Sequence, residues 1–187
     1  MNPQLIFWIV FIVLLFIVFF FNIKYNMLKD SSTADVKPYS YARVQLTWWT
    51  IIILTSIITI LLFKYNAPTL HYSAIILLGI SSVTTATGRL IDLSDQNKSA
   101  PRSQDQNSDN FILDILSDSD GVNIHRFQTV IFNLVFGIWF ICTVLYNLTH
   151  FTGDINNILP IVSDNNLILL GLSSGTYAAL KSTENKG

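Results

Sequence analysis

Apolar and polar positions divide the chain into five long apolar blocks, over residues 5–21, 44–63, 72–88, 127–148 and 166–180. A helix needs about 20 such residues to cross ~30 Å of hydrocarbon. The pattern predicts an all-α, polytopic membrane helix bundle of about five spans. The fifth block is the shortest, and the apolar stretch 158–162 is available to lengthen it. The implied units are an N-terminal transmembrane anchor (1–24), a cytoplasmic connector (25–43) and a first helical hairpin (44–91). An acidic cytoplasmic loop (92–125), a second hairpin (126–181) and a cytoplasmic tail (182–187) follow. No positive charge precedes the first block, and Asn22, Lys24 and Lys29 follow it where a signal peptide would place small residues. It reads as a retained span. It holds Trp8 and many Phe but no Gly, Ala, Ser or Thr between residues 5 and 21. Such a helix packs poorly against another backbone and belongs on the lipid-facing periphery.

Charge orients the spans. With five of them, segments 22–43, 89–126 and 181–187 share one side. That side carries Lys24, Lys29, Lys37, Arg43, Arg89, Lys98, Arg102, Arg126, Lys181 and Lys186; the other carries only Lys64. Cations accumulate on the cytoplasmic side, so the N-terminus is expected outside and the C-terminus in the cytoplasm. The net charge of -1 gives no sign of nucleic-acid binding. Charged residues are 12% of the chain, about half the ~25% usual in soluble domains.

The two hairpins resemble each other. Arg43 and Gln45 open the second block as Arg126 and Gln128 open the fourth, and residues 77–89 align without a gap to 169–181. Two spans per copy keep both copies in one orientation, a parallel repeat about an axis along the membrane normal. Four helices around such an axis make a small bundle or one sector of an oligomeric ring.

Gly171, Gly175 and Ala179 fall on one helical face, and Gly79, Ser82 and Ala86 offer a similar face on the third span. Both read as close-packing seams. A polar conduit is the alternative. Ser81, Ser82, Thr84, Thr85 and Thr87 crowd the end of the third span, and Ser173, Ser174, Thr176 and Tyr177 that of the fifth, with Arg89 and Lys181 at the inner mouth. Hydroxyls either bond a carbonyl one turn back or line water. If the third span lines water, the side bearing Ser81, Thr84, Thr85 and Gly88 should be wet and the glycine face buried. Gln45 and Gln128 need buried partners, which suggests a shared structural bond. Arg43 and Arg126 are expected to snorkel to the interface, and Trp48 and Trp49 to join an aromatic belt.

In the loop, residues 92–110 read as flexible linker. Phe111, Ile112, Ile115 and Leu116 then fit one face of a short helix that Gly121 would end. That helix suits the membrane interface or a cytosolic partner bound through residues 90–125. Asp114, Asp118 and Asp120 are expected to face solvent or neutralise Arg126. An EF-hand loop through Asp118 and Asp120 is rejected, because Leu116 and Phe127 occupy positions that need acids. His71, His125 and His150 lack ligand-spaced company, so no metal and no cofactor is expected. Cys142 stands alone, without an intrachain disulfide partner. No ionisable residue falls mid-span, which argues against a proton-driven transporter and against an intramembrane hydrolase. A non-enzyme is expected.

Leu116, Ser117, Asp118, Gly121, His125, Arg126, Phe127 and Gln128, followed by Gly171, Ser173, Ser174, Thr176, Tyr177 and Lys181, resemble the motifs of a family of uncharacterised bacterial multi-span inner-membrane proteins. Arg43, Gln45 and Trp49 fit the same pattern. The resemblance covers residues 39–181 and departs at Leu172, where the family carries Ile, and in an outer loop with inserted polar residues. It implies a bacterial inner (plasma) membrane location and no activity. The expected function is a homo-oligomer, in contact with the lipid bilayer, that forms or gates an ion or solute pathway. The alternative is a membrane sensor or anchor that recruits a cytosolic effector, as phage defence would require.

Overall fold

Asn2 caps the first helix by accepting from the Gln4 amide at 3.0 Å, and Pro3 starts it where no amide donor is needed. The computed structural model describes residues 2–96, 105, 107–108, 110–118, 121–150 and 154–181. Asp120, the tail 182–187 and the middle of the long loop lie outside the described residues. The helices are α1 (Pro3–Tyr25), α2 (Tyr41–Lys64), α3 (Tyr72–Gln96), α4 (Phe111–Leu116), α5 (Ile124–His150) and α6 (Asp164–Lys181). Strands β1 (Ser117–Asp118) and β2 (Gly121–Val122) form a small antiparallel ribbon. The fold is an all-α membrane bundle. Helices α1, α2, α3 and α5 are long and apolar enough to cross a membrane. The fifth, α6, has 18 residues and is about 27 Å long.

Helix α2 packs against α3 and α5, and α6 packs against the same two. The cyclic order is therefore α2, α3, α6, α5. The first helices of the two hairpins are neighbours, and so are the second helices. A two-fold axis through the bundle centre would instead place α2 diagonal to α5. The hairpins lie side by side. Helix α1 leans on α2 and α5, burying Ile6, Phe7 and Phe11 while Trp8, Phe16, Phe19 and Phe20 stay exposed. Most of its bulky surface faces outward, yet it packs on α2 as extensively as α3 does, so the lack of small residues does not keep it from a close neighbour.

That core is made of Trp49, Ile52, Ile60, Leu77, Phe140, Val144 and Leu170, with Phe7 and Phe11 from α1. Stretch 158–162 does not extend α6. Pro160 lacks an amide donor and breaks a helix there, and Ile158, Leu159 and Val162 instead plug one end of the bundle. The plug is tied down by Val162 N donating to Ser73 Oγ at 3.2 Å and by Asn147 Nδ2 donating to the Ile158 carbonyl at 3.1 Å.

At the opposite end, the described part of the long loop is organised. Helix α3 runs on to Gln96. Thr33 N donates to Asp105 Oδ1 at 2.8 Å, Val36 N to Asn107 Oδ1 at 3.1 Å, and Tyr39 N to Asp114 Oδ2 at 3.0 Å. Segment 28–40 and the loop thus form one cap. Helix α4 ends at Leu116, earlier than the sequence suggests. Gly121 takes φ +104°, a conformation glycine adopts freely, and opens β2 rather than capping α4.

Candidate functional site

The bundle buries a connected set of polar side chains at the α4 end, centred on Asn133 of α5. Asn133 Oδ1 accepts from Gln45 Nε2 at 3.2 Å and from Trp49 Nε1 at 2.8 Å. Its Nδ2 donates to Tyr41 OH at 3.0 Å and to the Thr129 carbonyl at 2.8 Å. Gln45 Nε2 also reaches Ser174 Oγ of α6 at 2.9 Å. One amide therefore ties α2 to α5, and Gln45 carries the tie to α6. Among the described residues, Gln45 Oε1 is buried and has no hydrogen-bond partner. Such groups are rare in folded proteins.

The Tyr41 and Tyr177 rings meet edge to face at 4.8 Å, and the Arg126 guanidinium lies over Tyr177 at 5.2 Å. One turn further along α6 sits Lys181, 3% exposed. Its Nζ pairs with Asp92 Oδ1 of α3 at 3.1 Å and with Asp30 Oδ2 of the connector at 3.4 Å. Desolvation makes a lone buried charge costly, and two carboxylates supply the compensation. The triad joins three segments far apart in sequence.

The candidate residues separate into distinct environments. Arg43 is half-buried, with its guanidinium 3.5 Å from the Met27 carbonyl and from Ser31 Oγ. Gln45 is buried, while Gln128, its counterpart in the second hairpin, is exposed. Ser81 and Thr84 are buried and bond the carbonyls of Leu77 and Ile80; half-buried Thr85 bonds those of Ser81 and Ala42. The side of α3 expected to be wet if it lined water is thus the inward side, and its hydroxyls are satisfied by backbone. Ser82 and Arg89 are exposed. Ser173 is buried and donates to the Leu169 carbonyl at 2.9 Å; Thr176 is exposed and donates to that of Leu172 at 2.9 Å. Lys181 and Arg89, paired by the sequence alignment, differ: one is buried in a triad and the other faces outward.

The glycines also depart from expectation. A Cβ at Gly79 or Gly175 would meet nothing within 4 Å, and one at Gly171 would touch Ile80 Cδ1 at 3.6 Å. Gly79, Gly175 and Ala179 face outward. Within one copy the glycine face is open rather than buried. In the loop, Ile115 is buried, Leu116 half-buried and Ile112 exposed, and Phe111 places its ring 5.0 Å from Tyr39. Asp114 accepts from Tyr39 N and from Ser108 Oγ instead of neutralising Arg126. Asp118 pairs with Gly121 in the ribbon. Among the described residues, no cluster of three or more His, Cys, Asp or Glu side chains could hold a metal ion.

Several residues of this network escape the sequence reading. Asn133 is the only Asn within residues 127–146. An amide in a membrane helix is itself a sign of interhelical hydrogen bonding. Trp49 is a core residue and not a belt residue, and Trp48 crosses α5 to donate to the Asn133 carbonyl at 3.1 Å. Gly137 makes that crossing possible, because any Cβ there would overlap the Trp48 indole. Gly137→Ala is expected to cost about 1–3 kcal/mol through overpacking. Thermal unfolding should show the loss, and Trp48→Phe in the same background should recover part of it. Comparison with models of known families, with curated proteins and with solved structures finds no match.

Proposed function

We propose that this membrane protein is a homo-oligomer whose copies join through the outward face of α3 and α6 and enclose an ion or solute pathway between them. The observation that carries this reading is the composition of that face. Gly79, Ser82 and Ala86 of α3 and Gly175, Thr176 and Ala179 of α6 all point outward. Between the helices runs an open groove of about 390 Å³, bordered by Gly79, Thr84, Gly171, Gly175 and Ala178. Bulky apolar residues share this face, with Ile76 and Val83 on the groove and Ile168 and Leu172 beside it, but the small residues between them are absent from outward positions such as Phe16, Phe19, Ile138 and Trp139. Small residues give little to lipid contact but let helix backbones approach closely. Helix α1 packs against α2 and α5, which leaves α3 and α6 for a second copy.

In this reading Ser82 and Thr176 supply hydroxyls to the path, and Arg89 at the cation-rich mouth favours anions. The charge asymmetry orients the N-terminus outside and the C-terminus in the cytoplasm of a bacterial inner membrane. A second reading, an anchor or sensor for a cytosolic effector, is supported by the hydrogen bonds that join segment 28–40 to Asp105 and Asp114, beside which Ile112 of α4 and Val122 of β2 are exposed.

The test is crosslinking in membranes. In a Cys142→Ala background, Gly79→Cys and Gly175→Cys should each give oxidant-dependent dimers, and Gly175→Leu should shrink the particle in detergent. Reconstituted protein should conduct, with Arg89→Glu shifting selectivity toward cations. Monomeric particles in nanodiscs, with no crosslink at either glycine, would overturn the reading.

A further inference from the structure

A cavity of about 230 Å³ lies on the other side of the bundle, in the crevice between α2 and α5 and under α4. Its walls are Val44 and Trp48 of α2 and Val130 and Leu134 of α5, and its roof is Phe111 and Ile115 of α4. Gln45 and Asn133 border it but turn no polar surface toward it. The lining is carbon throughout. Water needs two to four polar partners to occupy an enclosed space, so an apolar cavity stays dry and accepts apolar guests. Protein interiors are close-packed, with few voids larger than a water molecule.

We propose that this cavity holds one acyl chain of a bilayer lipid. Three features select a hydrocarbon chain over other guests. The cavity presents no donor or acceptor, so a guest that must be hydrogen-bonded gains nothing there. Its volume holds on the order of eight groups of water or methylene size, the scale of part of a fatty chain. Its rim is continuous with the lipid-facing surface: Leu134 is 45% exposed and Phe111 42%, and Ile131, Val135 and Ile138 continue an exposed apolar strip along α5. A chain from the adjacent leaflet enters without leaving an apolar environment. Once seated, it packs against the roof. Helix α4 is also held from the cap side, where Asp114 accepts from Tyr39 N. Lipid occupancy and the position of the cap are thereby coupled.

Trp48 reports on the cavity. The full chain carrying Trp8→Phe and Trp139→Phe keeps Trp48 beside the cavity and Trp49 in the core. In nanodiscs of phosphatidylcholine brominated along its acyl chains, Trp48 emission should fall by at least half relative to unbrominated lipid. Val130→Phe fills the cavity and should abolish that quenching without changing the unfolding temperature. Native mass spectrometry should find one phospholipid retained per copy, and none with Val130→Phe. Should that variant lose its unfolding transition, Val44→Phe applies the same block from the opposite wall. Unquenched emission in brominated lipid, equal quenching in the filled variant, or a retained peptide or second copy in place of lipid would overturn the proposal. The α3/α6 groove lies apart from this crevice, so such a result leaves the oligomer reading standing.

Discussion

Lys181→Met is expected to destabilise the protein by about 3–5 kcal/mol, because it removes the ammonium that two buried carboxylates share. The two carboxylates that Lys181 holds come from different places, Asp92 on α3 and Asp30 in the connector. Losing the ammonium leaves Asp92, 2% exposed, where hydration cannot reach it. The measurement is thermal unfolding in detergent, followed by tryptophan emission. Adding Asp30→Asn and Asp92→Asn to Lys181→Met should restore much of the loss, because the carboxylates that the ammonium served are then neutral. An exposed helix-end lysine that merely snorkels would cost well under 1 kcal/mol. A loss of that size, with no recovery in the combined variant, would show that the triad contributes nothing to the fold.

Asn133→Leu is expected to cost about 2–4 kcal/mol. It strands the Trp49 indole donor and the Tyr41 hydroxyl in a buried setting, and an unsatisfied buried group costs about 1–3 kcal/mol. Leu keeps the volume, so the effect reports hydrogen bonding rather than a void. Gln45 retains Ser174, which limits the damage on the α6 side. The near-ultraviolet circular dichroism of Trp49 should weaken at temperatures where helix content is unchanged. A variant with the parent's unfolding temperature and tryptophan signal would contradict a central role for this amide.

The helices were legible because a membrane span is a long apolar run, and such runs need no knowledge of their neighbours. The lack of small residues in α1 suggested poor packing, yet it meets α2 as extensively as α3 does and buries Phe7 and Phe11. What hid was whatever depends on contacts between segments distant in sequence. Lys181 looks like an interfacial cation until α6 is set beside α3 and the connector. The hydroxyls of Ser81, Thr84 and Thr85 look like a wet stripe until their carbonyl partners one turn back are counted. Apolar residues 158–162 look like a helix extension until Pro160 is weighed. Asn133 was a readable clue left unread, the one Asn within the apolar run 127–146. The repeat misleads at its ends: Arg89 and Lys181 align, as do Ser82 and Ser174, yet the α3 member of each pair is exposed and the α6 member buried.

Helix α6 is made after every helix it joins. It brings Ser174 to Gln45, Tyr177 to Tyr41, and Lys181 to Asp30 and Asp92. It is also less apolar than α1, α2, α3 and α5, the four helices apolar enough to span a membrane by composition. During biosynthesis, then, the earlier helices enter the bilayer still carrying polar groups whose partners have not been translated. Those groups favour recruitment of a segment that would enter lipid poorly by itself. Closure of the bundle therefore waits for α6, and until then Gln45, Asp30 and Asp92 lack the partners that α6 brings.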